Sequence, residues 1–442
     1  MIHQVKLAKI TRERLREVVY VQMMLLTYAA STNNPSQYEC ARYLHDKGFD
    51  STKPARSLQI AAWIWNAKPR YEKLEGFAAG PPEDKRELVE KLQREVQLFL
   101  SEDHPKGAID IFKPPQDSWQ EKGADFLCQF YAELSKTKLP ACLFSDPQAK
   151  DFRRQDFLKE FLTNNKLLYV CPVCDETGSY TSSNSNIYTD IEHYFPQSRY
   201  PHFACHPYNL IPICHLCNSA IHGAKDPLEP DKNSSRLQLQ DIVLPYRDLS
   251  LGTVTRLNVI LDNAAQPATF DGLVSTVTGK NYQTQIDSFT WMYEIPKRWN
   301  AHNDIDKVGE TLFRRMRQFL RGSYELPVGN SPDSIWPVFQ YALYQLVHSL
   351  HTNGEEGFKG GDFGKDPFAF AMKWLLVTIL NEEKQDDQSG FYFPLLNELA
   401  HWLGQDMNNK DEYIMCAEML IKMLNEKNIA PNQYQVQVER GV

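Results

Sequence analysis

The chain has 442 residues, with 48 Lys+Arg against 56 Asp+Glu, 9 Cys, 12 His and 12% aromatic residues. At 42% hydrophobic and 24% charged it has the composition of an ordinary globular protein, which excludes a collagen, a disordered tail and a disulfide-dense mini-scaffold. A single core stops growing at roughly 250–300 residues, so two or three domains are expected.

Residues 1–166 read as a helical N-terminal domain. Leu15 to Ala29 carries apolar residues at helical spacing, and Asp84 to Leu100 sets Leu88, Leu92, Val96 and Leu100 on one stripe. Asp125 to Leu134 and Asp156 to Leu162 continue the helical pattern, with Pro/Gly breaks at Gly80 to Pro82 and His104 to Pro115. Gln37 to Trp65 predicts two helices around a turn at Gly48. A DNA-reading helix-turn-helix is one use of such a pair; a plain helical hairpin is the commoner one.

Residues 167–230 change character, becoming turn-rich and crowded with Cys and His. Ile187 to Phe195 predicts a short strand, Tyr208 to Pro212 a second strand or turn, and the residues from Cys217 a short helix stopped by Gly223. Residues 231–330 form an extension, with β-like runs at Thr253 to Leu261 and Gly272 to Val277 followed by a basic helix. There Arg314, Arg317 and Arg321 share one helix stripe, which could follow a phosphate backbone or simply face solvent. Residues 331–442 read as a helical C-terminal domain with an acidic tail. Its Gly-rich stretch Asn353 to Asp366 lacks a phosphate-loop pattern.

The net charge of −8 is unevenly spread. Residues from Asn381 onward include 11 acidic and 5 basic side chains, which leaves 43 basic and 45 acidic in the rest. The body is nearly neutral, so the overall charge does not argue against a nucleic-acid partner. No window holds the ~18–20 apolar residues of a membrane helix. Met1 to Lys9 lacks a signal-peptide pattern. A cytoplasmic location away from the membrane is expected.

Five of the nine cysteines and five of the twelve histidines lie within the 52 residues from Cys171 to His222. Two Cys-x-x-Cys knuckles, Cys171–Cys174 and Cys214–Cys217, are separated by 39 residues. Each knuckle can present two thiolates to one side of a metal, and two knuckles complete a tetrahedral Zn²⁺ shell. In a chain without a secretory signal this reading precedes disulfides. Cys205, His202, His206 and His215 are rival donors, but four thiolates already fill the shell.

Between the knuckles stand Asp190-Ile-Glu192-His193-Tyr-Phe-Pro196 and Tyr208-Asn209-Leu210, and Asn218 directly follows Cys217. Over roughly residues 167–228 this pattern resembles the HNH (His-Me finger, ββα-metal) endonucleases, whose signature is an acidic residue and His before a Pro, a central Asn-Leu, and a final His or Asn. The Glu-His pairing is most similar to HNH proteins of bacterial anti-phage systems, including the Septu type. The resemblance implies a fold that is mainly α with a small α+β insert, a zinc-bound ββα core between two helical regions.

The resemblance also implies a mechanism for hydrolysing phosphodiester bonds in DNA, with RNA as the alternative. His193 would be the general base, Asn209 would tether its loop, and Glu192 and Asn218 would hold one catalytic Mg²⁺ or Mn²⁺. The products would carry 5′-phosphate and 3′-hydroxyl ends. His222, four residues beyond Asn218, is a further candidate ligand, and Lys225 a candidate phosphate contact. Asp190 shares the face of Glu192 and could join the metal shell, with solvation the expected outcome. An ATPase or other protein partner in a defence complex is the partner this likeness suggests. The competing reading is a non-catalytic zinc-stabilised nucleic-acid-binding or scaffold subunit.

Overall fold

The computed structural model describes residues 1–301 and 368–381, apart from 102–104, 113, 166–167, 177–179, 182–186, 231–234, 248–250, 261–268, 277–281 and 296. The basic stripe Arg314, Arg317 and Arg321, the Gly-rich stretch Asn353 to Asp366, most of the expected helical C-terminal domain and its acidic tail lie outside these residues. The described chain is mainly helical, with three two-stranded antiparallel sheets. Among the described residues no helix is long and apolar enough to cross a membrane.

The chain divides into two compact units, each discontinuous in sequence. One comprises Val5–Lys166 and Ser179–Asp248; the other comprises Met1–Gln4, Leu167–Gly178 and the residues from Leu249 onward.

The first unit begins with seven helices, α1 Lys9–Ala30, α2 Gln37–Asp46, α3 Arg56–Trp65, α4 Lys68–Ala78, α5 Pro82–Leu100, α6 Trp119–Lys136 and α7 Arg154–Asn164. Their ends follow local chemistry. Ser36 and Ser118 cap α2 and α6 by accepting the backbone N–H of Glu39 and Glu121. Pro82 opens α5, where its missing N–H costs nothing, with Glu83 and Asp84 in the first turn against the positive end of the helix dipole. Gly48, at φ +82°, makes the turn after α2 that a side chain would strain.

The buried face of α5 includes Val89, Leu92, Val96 and Phe99, and also Lys85, which is fully buried. Its ammonium donates to the carbonyls of Ala29, Thr32 and Ala78, satisfying acceptors left open at the ends of α1 and α4. Burial lowers the pKa of Lys85, and the carbonyl shell is what holds the charge in place.

Short strands follow the helices. β1 Tyr180–Thr181 pairs with β2 Ile187–Tyr188, and β3 Asp190–His193 with β4 Leu210–Ile213. In the second pair Glu192 faces Ile211 and His193 faces Leu210. A short π-type helix, Leu216–His222, comes next and ends at Gly223, whose φ is +53°. Phe99 ties α5 to the loop between β3 and β4, with ring centroids 5.4 Å from Phe195, 5.1 Å from Phe203 and 4.5 Å from His206.

In the second unit, β5 Thr255–Ile260 and β6 Thr269–Ser275 form a hairpin, and β5 alternates buried and exposed residues as a half-buried strand should. Helices Tyr282–Tyr293, Lys297–Ala301 and Ala369–Asn381 accompany it. The Cys171–Cys174 knuckle is held here from three directions. Buried Asp175 accepts from His3 Nε2 at 2.6 Å and from the Phe370 N–H at 2.7 Å, the His3 N–H donates to the Pro172 carbonyl, and Trp299 Nε1 donates to the Cys174 carbonyl.

The position of Phe99 generates a stability prediction. Phe99→Ala should lower the unfolding free energy by about 3–5 kcal/mol, the cost of deleting a buried aromatic ring, as measured by urea denaturation. A loss under ~1 kcal/mol would show that this ring is not the hub of the packing.

Candidate metal centre and candidate active site

The four knuckle cysteines come together: the Sγ atoms of Cys171, Cys174, Cys214 and Cys217 all lie within 4.8 Å of one another. A tetrahedral Zn–S shell with bonds of about 2.3 Å sets its sulfurs roughly 3.8 Å apart, so the spacing fits zinc. Cys171, Cys174 and Cys217 are buried, and none of the described cysteines forms a disulfide. The first knuckle is turned by the Asp175 N–H donating to the Cys171 carbonyl at 3.0 Å, with Asp175 itself at φ +59°. In the second, the Cys217 N–H donates to Cys214 Sγ, a bond that favours a thiolate.

The rival donors are engaged elsewhere. His202 faces Glu95 at 2.9 Å, His206 stacks on Phe99, and His215 meets Asp190 at 2.7 Å. Cys205 is buried, and burial pushes its thiol well above the usual range.

The second cluster lies wholly in the first unit, at β3, β4 and the helix Leu216–His222. His193, 9% exposed, has Nε2 3.0 Å from the Ala204 carbonyl. A carbonyl only accepts, so Nε2 carries the proton and Nδ1 keeps its lone pair. Burial pushes the imidazole pKa down to about 4, against the Ala204 bond and with His222 adding to the shift. At neutral pH the ring is therefore the neutral form that a proton acceptor requires. On its other flank the ring of Tyr131 meets it edge-on, with centroids 4.1 Å apart.

Asn209 is fully buried, and all its amide groups are used. Oδ1 accepts from the Phe195 N–H at 2.6 Å, while Nδ2 donates to the carbonyls of Phe195 at 3.1 Å and Phe203 at 3.0 Å. Its backbone carbonyl accepts the Tyr194 N–H. The side chain is thus a crossbar inside the loop that runs from His193 to Ala204.

Glu192 and His222, both buried, meet directly through Oε1 and Nδ1. Burial raises the Glu192 carboxyl, opposed by His222 and reinforced by Asp190. Asn218, half-buried on the same helix, donates its Nδ2 to Asp190 Oδ2 at 3.0 Å, which leaves Oδ1 as its acceptor end. Asp190, expected from the sequence to be solvated, in fact orients Asn218 and binds His215. Lys225 follows the helix, half-buried, with its backbone N–H on the His222 carbonyl at 2.9 Å.

The structure gathers Glu192, His193, Asn209, Asn218 and His222 around β3, β4 and the helix after them, and adds contacts from Tyr131, the Ala204 carbonyl and Asp190 that the sequence did not point to. Tyr131 and Ala204 carry no local signal: one is an ordinary helix residue, the other acts through its backbone. The Asp190 contact could have been anticipated, because alternation puts it beside Glu192.

No family model matches this chain, and neither a curated protein nor a solved structure does.

Purified protein should contain one zinc per chain by inductively coupled plasma mass spectrometry, and Cys214→Ser should lose most of it. A metal-free wild type, or full zinc retention in that variant, would contradict a four-thiolate site.

Proposed function

We propose that the chain is a metal-dependent endonuclease of the HNH type that hydrolyses phosphodiester bonds in DNA, with a structural zinc in the four-cysteine cluster. The observation that carries this reading is the state of His193: a neutral imidazole whose Nε2–H bonds the Ala204 carbonyl and whose Nδ1 keeps its lone pair, next in the strand to Glu192, which pairs with His222.

In this mechanism His193 Nδ1 takes the proton of the water that attacks the phosphorus, and Ala204 holds the ring from the far side. Asn209 keeps the loop closed so that Ala204 and His193 stay in register. The cation would be held by Glu192 and His222, with the Asn218 amide oxygen as the third donor from this chain. A carboxylate, an imidazole and an amide oxygen form a donor set that accepts Mg²⁺ or Mn²⁺. The cation supplies neutralisation of the phosphate charge and of the leaving 3′ oxygen. Lys225, just beyond His222, would contact a phosphate, and Arg314, Arg317 and Arg321 are further phosphate contacts that the sequence alone suggests. The likeness of Glu192-His193 to anti-phage HNH proteins supports a role in bacterial defence with an ATPase or other protein partner.

The test is a cleavage assay on plasmid and single-stranded DNA, and on RNA, with and without Mg²⁺ or Mn²⁺. His193→Ala should reduce cutting by about 10²–10⁴-fold with zinc content and thermal midpoint unchanged. Unaltered cutting by that variant would sink the mechanism. Binding without scission by the wild type under every condition would favour the scaffold reading instead.

A further inference from the structure

We infer that Tyr131, on helix α6 and outside the 167–230 segment that carries the nuclease motif, is a positioning residue for His193. The mechanistic consequence rests on the nuclease reading; the geometry does not.

An imidazole on a flexible side chain is not fixed by one hydrogen bond. The bond from Nε2–H to Ala204 restrains one edge of the ring but does not block swinging about the Cβ–Cγ bond, which would move the Nδ1 lone pair away from any substrate. Tyr131 supplies the second restraint. Its ring stands edge-on to the imidazole at 4.1 Å between centroids and 70° between planes. Its hydroxyl donates to the Ile191 carbonyl at 3.2 Å, two residues before His193 on the same strand. One side chain therefore fixes both the base and the backbone that carries it.

The helix behind Tyr131 is itself well anchored. Phe126 and Phe130 are fully buried, and Gln22 of α1 donates to the Leu127 carbonyl at 2.8 Å. Cys128, three residues before Tyr131 and so on the same face, contacts the Gln197 carbonyl at 3.9 Å, inside the loop that Asn209 braces. Two successive turns of α6 thus rest on β3 and on the loop after it. A residue present only to fill the core would be buried and apolar. Tyr131 is half-buried, with its hydroxyl spent on strand β3. Burial pushes its phenol pKa upward, so the hydroxyl stays a donor across the working pH range.

The test uses the full chain labelled with ¹⁵N-histidine. Long-range ¹H–¹⁵N correlation reads the tautomer of each imidazole without turnover, and His193→Ala assigns the signal. Wild type and Tyr131→Phe should both show a single Nε2–H tautomer at His193, because both keep the ring. Tyr131→Ala should show mixed tautomers and a kcat lower by about 10²-fold with KM within about twofold, as expected when a reacting group drifts by ~1 Å. Zinc content and thermal midpoint monitor folding, and Tyr131→Leu replaces the alanine variant if that one fails to fold.

A single tautomer and full kcat in the alanine or leucine variant would overturn the proposal, as would equal losses in the Phe and Ala variants. If the wild type cuts nothing, the nuclease reading falls, and the tautomer spectra alone decide whether Tyr131 positions His193.

Discussion

The candidate active site depends on one buried amide. Asn209 is fully buried, and its side chain bonds both the N–H and the carbonyl of Phe195 and the carbonyl of Phe203. Leaving such groups unpaired away from water would cost about 1–3 kcal/mol each, so the loop has strong reason to keep this one shape. That shape sets where the Ala204 carbonyl lies, and the carbonyl in turn selects the tautomer of His193. A packing constraint becomes a chemical one: which nitrogen holds the proton is decided by a backbone oxygen eleven residues away.

Around this loop the helices act as walls. Phe99 of α5 reaches four aromatic rings of the loop between β3 and β4, while α6 contributes Tyr131 and Cys128. A two-stranded sheet is marginal alone, and β3–β4 is short even by that standard. Its order comes from the helical residues packed on it. The fully buried Lys85, neutralising helix ends at the base of α5, belongs to the same support. Beyond Gly223, Asp226 holds Tyr200, Arg199 and Arg236 together, so the segment leaving the site is fastened to the loop entering it.

Much of this was readable from residues alone where the signal is local. Helical periodicity placed α5 within two residues but caught only the later part of α6, which begins at Trp119 rather than Asp125. The single strand expected over Ile187 to Phe195 divides into β2 and β3 in different sheets, while β4 and the helix ending at Gly223 lie close to their expected places. The four cysteines were legible because knuckle spacing is itself a geometric statement, and the structure brings their sulfurs together. What was not legible is long-range. Nothing in the heptapeptide around Tyr131 points sixty residues ahead to Ile191, and no side-chain code announces a backbone carbonyl such as Ala204. The buried charge of Lys85 defied its composition because its partners are carbonyls that close only when three helices meet. The bond between His3 and Asp175 likewise joins residues 172 positions apart. The pairing of Glu192 with His222 rather than with Asn218 also depends on the helix following an irregular, π-type course, which spacing rules for a regular helix do not anticipate.

The central claim is that a water activated by His193 displaces the 3′ oxygen of a phosphodiester. The chemistry of the cut ends tests this most directly. Products generated with Mg²⁺ or Mn²⁺ should carry 5′-phosphate and 3′-hydroxyl termini, so that nicks made in plasmid DNA are sealed by DNA ligase without prior treatment. Ends that resist ligation until a 3′-phosphate is removed, or 5′-hydroxyl ends that must first be phosphorylated, would contradict the account.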